Sequence, residues 1–244
     1  MNTLTFLKTF LPVDLKNTGR DSLLAWITFL PFFMALAIRW AIPALTHLLS
    51  QQLAFDLTPY YPLILSGYLG QAATLVGMIV GMLLLDERDE QLNLALLVTP
   101  LPRHRYLAYR IVLPIVPAGI ISYLGYLIIG LGDVPAGGLF MALTLSLFNA
   151  PFLAFLLAAF AENKVVGLAL MKMASGIMLL PVAAYFIPEP WQWAAGLIPT
   201  YWAHKLFWLA AGREPLWLPF LIGLTANLLA LTILLRLTVN DYRS

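Results

Sequence analysis

The sequence predicts an all-α, polytopic integral membrane protein. A single membrane domain over 1–244 carries six transmembrane helices behind an N-terminal interfacial helix, with both termini cytoplasmic. Three observations predict this. Hydrophobic residues make up 61% of the 244 positions and charged residues only 11%, against about 45–50% and about 25% in a soluble domain. So few charges could not cover a surface in water, and the mean hydropathy of +0.85 agrees. Six apolar runs, at about 23–46, 62–85, 107–131, 138–161, 165–187 and 215–237, each reach the ~20 residues a helix needs to cross ~30 Å of hydrocarbon. They are too long, and too continuously apolar, for the alternating strands of a membrane barrel. Finally, the basic residues are lopsided. Lys8, Lys16, Arg20, Arg88, Arg103, Arg105, Arg110, Lys164, Lys172, Arg236 and Arg243 fall on the side of the termini, and only Arg39, Lys205 and Arg213 on the other. The positive-inside rule places the richer side in the cytoplasm. This composition excludes a soluble enzyme, a disordered chain and a nucleic-acid binder. The absence of cysteine excludes disulfides, thiolate metal sites and cysteine nucleophiles.

Residues 1–22 carry scattered charges and no long apolar run, so no cleavable signal peptide is expected. Leu4, Leu7 and Leu11 share a helical face, Pro12 interrupts it, and Asp14 to Asp21 is charged. Such a segment lies in the headgroup plane and anchors the first span. Asp14, Lys16, Arg20 and Asp21 mark it, and a sharper reading adds contact with a cytoplasmic partner. Arg39, near the outer end of the first span, is within snorkelling reach of the interface. The second span bears Gly67, Gly70, Thr74, Gly77 and Gly81 at spacings of 3, 4, 3 and 4, a bare face on which another helix can pack closely.

Residues 86–106 form the substantial cytoplasmic loop. It opens with Asp86-Glu87-Arg88-Asp89-Glu90, acidic residues that suit the start of a short helix. An apolar strip of Leu92, Leu94, Leu96, Leu97 and Val98 follows, and Thr99-Pro100-Leu101-Pro102 stops it before Arg103-His104-Arg105. One reading is a solvated hairpin with the acidic run as its wet face. The exposed leucines favour another, a surface on which a protein partner docks.

Gly130-Leu131-Gly132-Asp133 closes the third span. The pattern matches intramembrane aspartyl proteases, but two carboxylates share that proton work and no second aspartate lies at depth, so it reads as a turn. Asn149 with Pro151 is mid-span in the fourth run, and Asn227 mid-span in the sixth with Gly223 one turn earlier. These amides, like Gln71, are expected to hydrogen-bond across helices. Lys172, two turns into the fifth run, either snorkels or pairs with a neighbouring helix or the acidic loop. Residues 188–214 face outward and contain Trp191, Trp193, Trp202 and Trp208, with Trp217 just beyond. Pro188, Pro190 and Pro199 divide the stretch into pieces too short to span. It reads either as an interfacial aromatic belt or as short re-entrant helices buried in protein.

Engines of chemistry are missing from the pattern. There is no phosphate-binding Gly-x-x-x-x-Gly-Lys-Ser/Thr, no His-Glu-x-x-His and no Gly-x-Ser-x-Gly. His47, His104 and His204 lie in separate segments, so no metal site is expected. Nor does any run carry the several acidic residues of a proton relay.

Four stretches together resemble a known family. They are Leu84-Leu85-Asp86-Glu87-Arg88-Asp89-Glu90 … Leu96-Leu97-Val98-Thr99-Pro100-Leu101-Pro102, then Arg103 to Arg110; Asp14-Leu15-Lys16-Asn17 … Gly19-Arg20-Asp21; Ala161-Glu162-Asn163-Lys164 … Gly167 … Lys172; and Ile198-Pro199-Thr200-Tyr201-Trp202. Their order and spacing are similar to the six-span permease subunits of type-2 ABC exporters, and to small bacterial permeases of drug or fluoroquinolone export. Where many relatives have Gly-Thr early in the loop helix, this chain has Gln91-Leu92-Asn93.

The resemblance implies a location in the bacterial cytoplasmic membrane and a transport subunit that is not itself an enzyme. It holds no cofactor of its own; ATP and Mg²⁺ belong to a separate ATPase subunit. It implies a coupling helix at 87–102 resting on that ATPase through Glu87, Asp89, Glu90, Leu92, Leu96, Leu97, Thr99 and Pro100. It further implies a second permease chain, identical or different, with an amphipathic or hydrophobic cargo passing between the two. The rival reading is an ATP-independent channel or secondary carrier, which predicts a polar midplane path and repeated halves with broken helices. No internal repeat is evident. A membrane anchor for a partner enzyme is a third reading.

Overall fold

The computed structural model describes residues 3–90 and 103–241, and its regular structure there is helical throughout. Helix α1 (Thr3–Arg20) is continuous through Pro12, so the expected interruption does not occur. Leu11, Pro12 and Val13 are exposed, and the hydrogen bond that proline forfeits is lost at the surface rather than in the core. Asp21 turns the chain. Its backbone is extended and its carboxylate accepts from the N–H groups of Leu23 and Leu24, capping α2 (Ser22–Leu53). This helix runs past its expected end at residue 46 and stops at Ala54, whose φ of 50° is left-handed.

A 3₁₀ turn at Thr58–Tyr60 leads into α3 (Tyr61–Asp89). This helix is the post around which the bundle is built. Of its most apolar window 89% is buried, against 22–28% in the first, third, fifth and sixth spans. The small-residue face explains how neighbours come so close. A methyl group on Gly77 would lie 2.4 Å from the carbonyl oxygen of Ala150, and one on Gly81 2.6 Å from Leu157 Cδ1. Gly70 faces His204 and Asn149, whereas a methyl on Gly67 would meet nothing within 4 Å.

The remaining elements are α4 (Arg103–Ile129), α5 (Ala136–Ser146), α6 (Asn149–Phe160), α7 (Lys164–Ala183), α8 (Tyr201–Ala211) and α9 (Trp217–Asp241). Among the described residues, six helical stretches are long and apolar enough to cross a membrane: Ser22–Leu53, Thr58–Asp89, Ala108–Ile129, Ala136–Phe160, Lys164–Phe186 and Trp217–Thr238. The count agrees with the sequence. The fourth, expected as one helix, is two. Pro151 has no N–H to give the carbonyl of Leu147, and the chain breaks at Leu147 and Phe148, with the Phe148 N–H bonding back to Leu145 instead. The core continues along α3, with Tyr68 and Leu69 packed among Tyr126, Tyr201, Trp202 and Phe207 at one end, and Leu75 and Met82 among Leu24, Leu157 and Met171 towards the other.

The stretch 188–214 divides between its two readings. Trp191–Leu197 is 3₁₀ helix, and Trp191, Trp193 and Trp217 are exposed, as in a belt. Helix α8 is buried on every side from Tyr201 to Ala210. Inside, the indole N–H of Trp202 bonds to the carbonyl of Gly196 at 3.0 Å and that of Trp208 to Ser66 Oγ at 2.8 Å. A helix that is apolar on nearly every face is buried, and its tryptophans still need partners.

Candidate functional site

Arg110 is among the largest fully buried side chains of the protein. It lies two turns into α4, and three helices supply its surroundings. From α1, Asp14 approaches with Oδ2 3.1 Å from Arg110 Nη1. From the end of α3, Glu87 forms a close ion pair with Nη2. From α4 itself, Tyr106 accepts from Nε at 3.2 Å and donates to Glu87. Tyr109 donates to Asp14 Oδ2 at 2.6 Å. Both tyrosine rings lie 5.4 Å from the guanidinium carbon, close enough for cation–π attraction.

The residue types suit this geometry. A planar guanidinium offers five donors in a fixed fork and is less strongly hydrated than an ammonium, so one arginine can hold two carboxylates from different helices. Burying it is costly unless its charge and hydrogen bonds are met. Two acids and two tyrosines meet them. The consequence is mechanical: α1, α3 and α4 are pinned to one point.

Two further contacts tie neighbouring elements to the same end. Lys164, at the start of α7, places Nζ 2.6 Å from Asp86 Oδ1 and 3.6 Å from Asp21 Oδ2. Asp21 thereby joins α2 to α7 while still capping α2. Arg88 Nη1 donates to the carbonyls of Ala161 at 3.2 Å and Ala158 at 3.4 Å, at the end of α6, where a cation also suits the helix dipole.

The expected site residues are placed as follows. Asp14 and Glu87 meet at Arg110, and Asp21 meets Lys164. Lys16 and Arg20 are exposed. Asp89 and Glu90 are exposed at the end of α3. Leu92, Leu96, Leu97, Thr99 and Pro100 lie outside the described residues. Asn149 Nδ2 donates to the Gly70 carbonyl at 3.3 Å. Asn227 Nδ2 donates to Pro199 at 3.2 Å and Gly223 at 2.8 Å. Gln71 is half-buried on α3, and Lys172 is exposed on α7. Arg39, exposed, donates to the Ile128 carbonyl at the end of α4, a cation at a helix C-terminus rather than a free snorkelling side chain.

Sequence reasoning missed Arg110 as a site, counting it among the basic residues and as the end of the motif stretch Arg103 to Arg110. The signal was present: Arg110 falls within the third apolar run, and Tyr106 lies four residues before it on the same helical face. It also missed α8. Lys205 is buried against Glu189 and Gln192. His204 is buried beside Trp208, and burial, in a helix outside the six spans, pushes its imidazole down to about 4, so it is neutral.

Residues 14–235 match the family described as Rv2686c-like, Fluoroquinolones export permease protein Rv2686c-like. Two curated relatives are each 34% identical over 223 residues, covering 86% of this chain and 84% of the relative. They are the fluoroquinolones export permease proteins MT2760 of Mycobacterium tuberculosis strain CDC 1551 / Oshkosh and Rv2686c of strain ATCC 25618 / H37Rv. No solved structure matches the chain.

Proposed function

The chain belongs to the Rv2686c-like family of fluoroquinolone export permeases, and from that premise we propose that it is the membrane permease of an ATP-driven exporter whose cargo is an amphipathic drug of the fluoroquinolone type. It supplies the route and not the energy. ATP and Mg²⁺ are bound and hydrolysed on a separate ATPase chain. The end of the bundle that holds Arg110 faces the cytoplasm together with both termini, and the loop 86–106 is the surface on which the ATPase rests. A second permease chain, of the same or a related sequence, completes the pathway.

The observation that carries this reading is the Arg110 cluster. Transport against a gradient needs a bundle with two arrangements and a ligand that favours one of them. Force delivered to the loop reaches α3 through Glu87 and α4 through Arg110, because these residues sit at its two roots. Through Asp14 it also reaches α1. A push at the loop therefore tilts three helices together instead of bending one hairpin.

The test acts on the loop. Leu96→Asp or Leu97→Asp should insert normally yet abolish substrate-stimulated ATPase activity and transport in liposomes reconstituted with the ATPase. Unchanged transport by both variants would overturn the docking role of the loop.

A further inference from the structure

At the opposite end of α3 from Glu87, where Pro62 begins the helix, lies a cavity of about 390 Å³, within the ~300–1,000 Å³ typical of small-molecule pockets. Its wall combines three kinds of group. Aromatic surface comes from Trp208 and Tyr185, whose rings meet edge to face with centroids 5.0 Å apart. A buried cation comes from Lys205 and an exposed carboxylate from Glu214.

The ammonium is held, but not saturated. Lys205 Nζ contacts Glu189 and lies 2.6 Å from Gln192 Oε1. Gln192 is itself oriented, with Nε2 on the Ala184 carbonyl at 2.9 Å and Oε1 accepting from Tyr201 at 3.3 Å. An ammonium has three donors, and two are taken. The third is left for a ligand in the half-open cavity that Lys205 lines, where a charge-assisted bond to a carboxylate is stronger than a neutral one. Glu214 makes no ion pair among the described residues, so the rim carries an acid open to a cation.

We propose that this cavity is a binding site for a compact aromatic zwitterion. Its carboxylate takes the free donor of Lys205, its ring lies against Trp208 and Tyr185, and its amine faces Glu214. The inference rests on the drug-export reading and deepens it, by naming a substrate chemistry and a place on this chain distinct from the Arg110 end. A buried amide, an aromatic wall and charges of opposite sign select a molecule with both an acid and a base; a purely apolar cargo would leave Lys205 with an unmet donor.

Equilibrium binding to the chain in lipid nanodiscs, with no ATPase present and with empty nanodiscs subtracted, tests this. The probes are norfloxacin, which carries a carboxylate and a piperazine amine, and nalidixic acid, which keeps the carboxylate and lacks the amine. Glu214→Gln, on the exposed rim, should weaken norfloxacin about tenfold and leave nalidixic acid unchanged. Lys205→Gln should weaken both by about tenfold or more, with unchanged helicity by circular dichroism showing that the fold survives. Absence of wild-type norfloxacin binding, or equal binding by wild type and Glu214→Gln, would overturn the site. If export fails in the complete transporter while this binding pattern holds, the export reading falls and the site stands. If export proceeds and the variants bind as wild type does, the site alone falls.

Discussion

At the level of single residues, Arg110 sets the strongest constraint. Removing one partner of a buried ion pair leaves the other charge without compensation and typically costs about 3–5 kcal/mol. Here removal of the cation would strand two carboxylates, Asp14 and Glu87. Arg110→Met should therefore lower the thermal unfolding temperature in detergent sharply, and Asp14→Asn in the same chain should restore part of the loss. Additive destabilisation in the double variant would show that the two residues do not act through each other. Arg110→Lys should rescue poorly, because a point charge cannot fork to two carboxylates. The amides are quieter. Asn149 and Asn227 each tie a helix to a carbonyl on a neighbouring segment, and such bonds in membrane proteins average only about 0.6 kcal/mol.

Among the elements, α3 decides the architecture. Its 29 residues reach roughly 43 Å, and its glycines let α6 lie against its backbone. Two positions of that seam should respond differently to the same change. Gly77→Ala drives a methyl into the Ala150 carbonyl, which cannot swing aside, and should cost about 1–3 kcal/mol. Gly67→Ala meets open space and should be neutral or gain up to about 1 kcal/mol from helix propensity. Chemical unfolding in mixed micelles distinguishes them; equal costs would mean that the seam is not a packing surface at Gly77. The broken fourth span belongs to this scale as well. Pro151 stands mid-span in a run that reads as one helix, and the break into α5 and α6 is not legible from it. The outcome depends on whether the turn at Leu147–Phe148 can be accommodated against α4, where Leu147 packs with Ala118 and Ile121.

For the whole molecule, orientation is the open consequence. Asp133 lies just beyond the end of α4, by the Gly130 turn, and Glu162 lies between α6 and α7 beside the Lys164 contacts, at opposite ends of the bundle; both are exposed. The chain has no cysteine, so single replacements report cleanly. Asp133→Cys should react with a membrane-impermeant maleimide in intact cells, and Glu162→Cys only after permeabilisation; the reverse pattern would invert the topology. The sequence alone determined the membrane class, the number of spans and the family, because each rests on additive or local quantities: overall composition, apolar length against bilayer thickness, and the order of short motifs. The wet face that one reading gave the acidic run, and the arginine near the start of the third span that was given no partner, show where that reasoning stopped. Whether Glu87 meets water or Arg110, and whether Lys205 lies in solvent or inside a wall of tryptophan and tyrosine, depends on which helices approach one another. Only tertiary packing decided that, because an ion pair between residues 96 positions apart, as Asp14 and Arg110 are, exists through juxtaposition of helices and leaves no periodic trace along the chain.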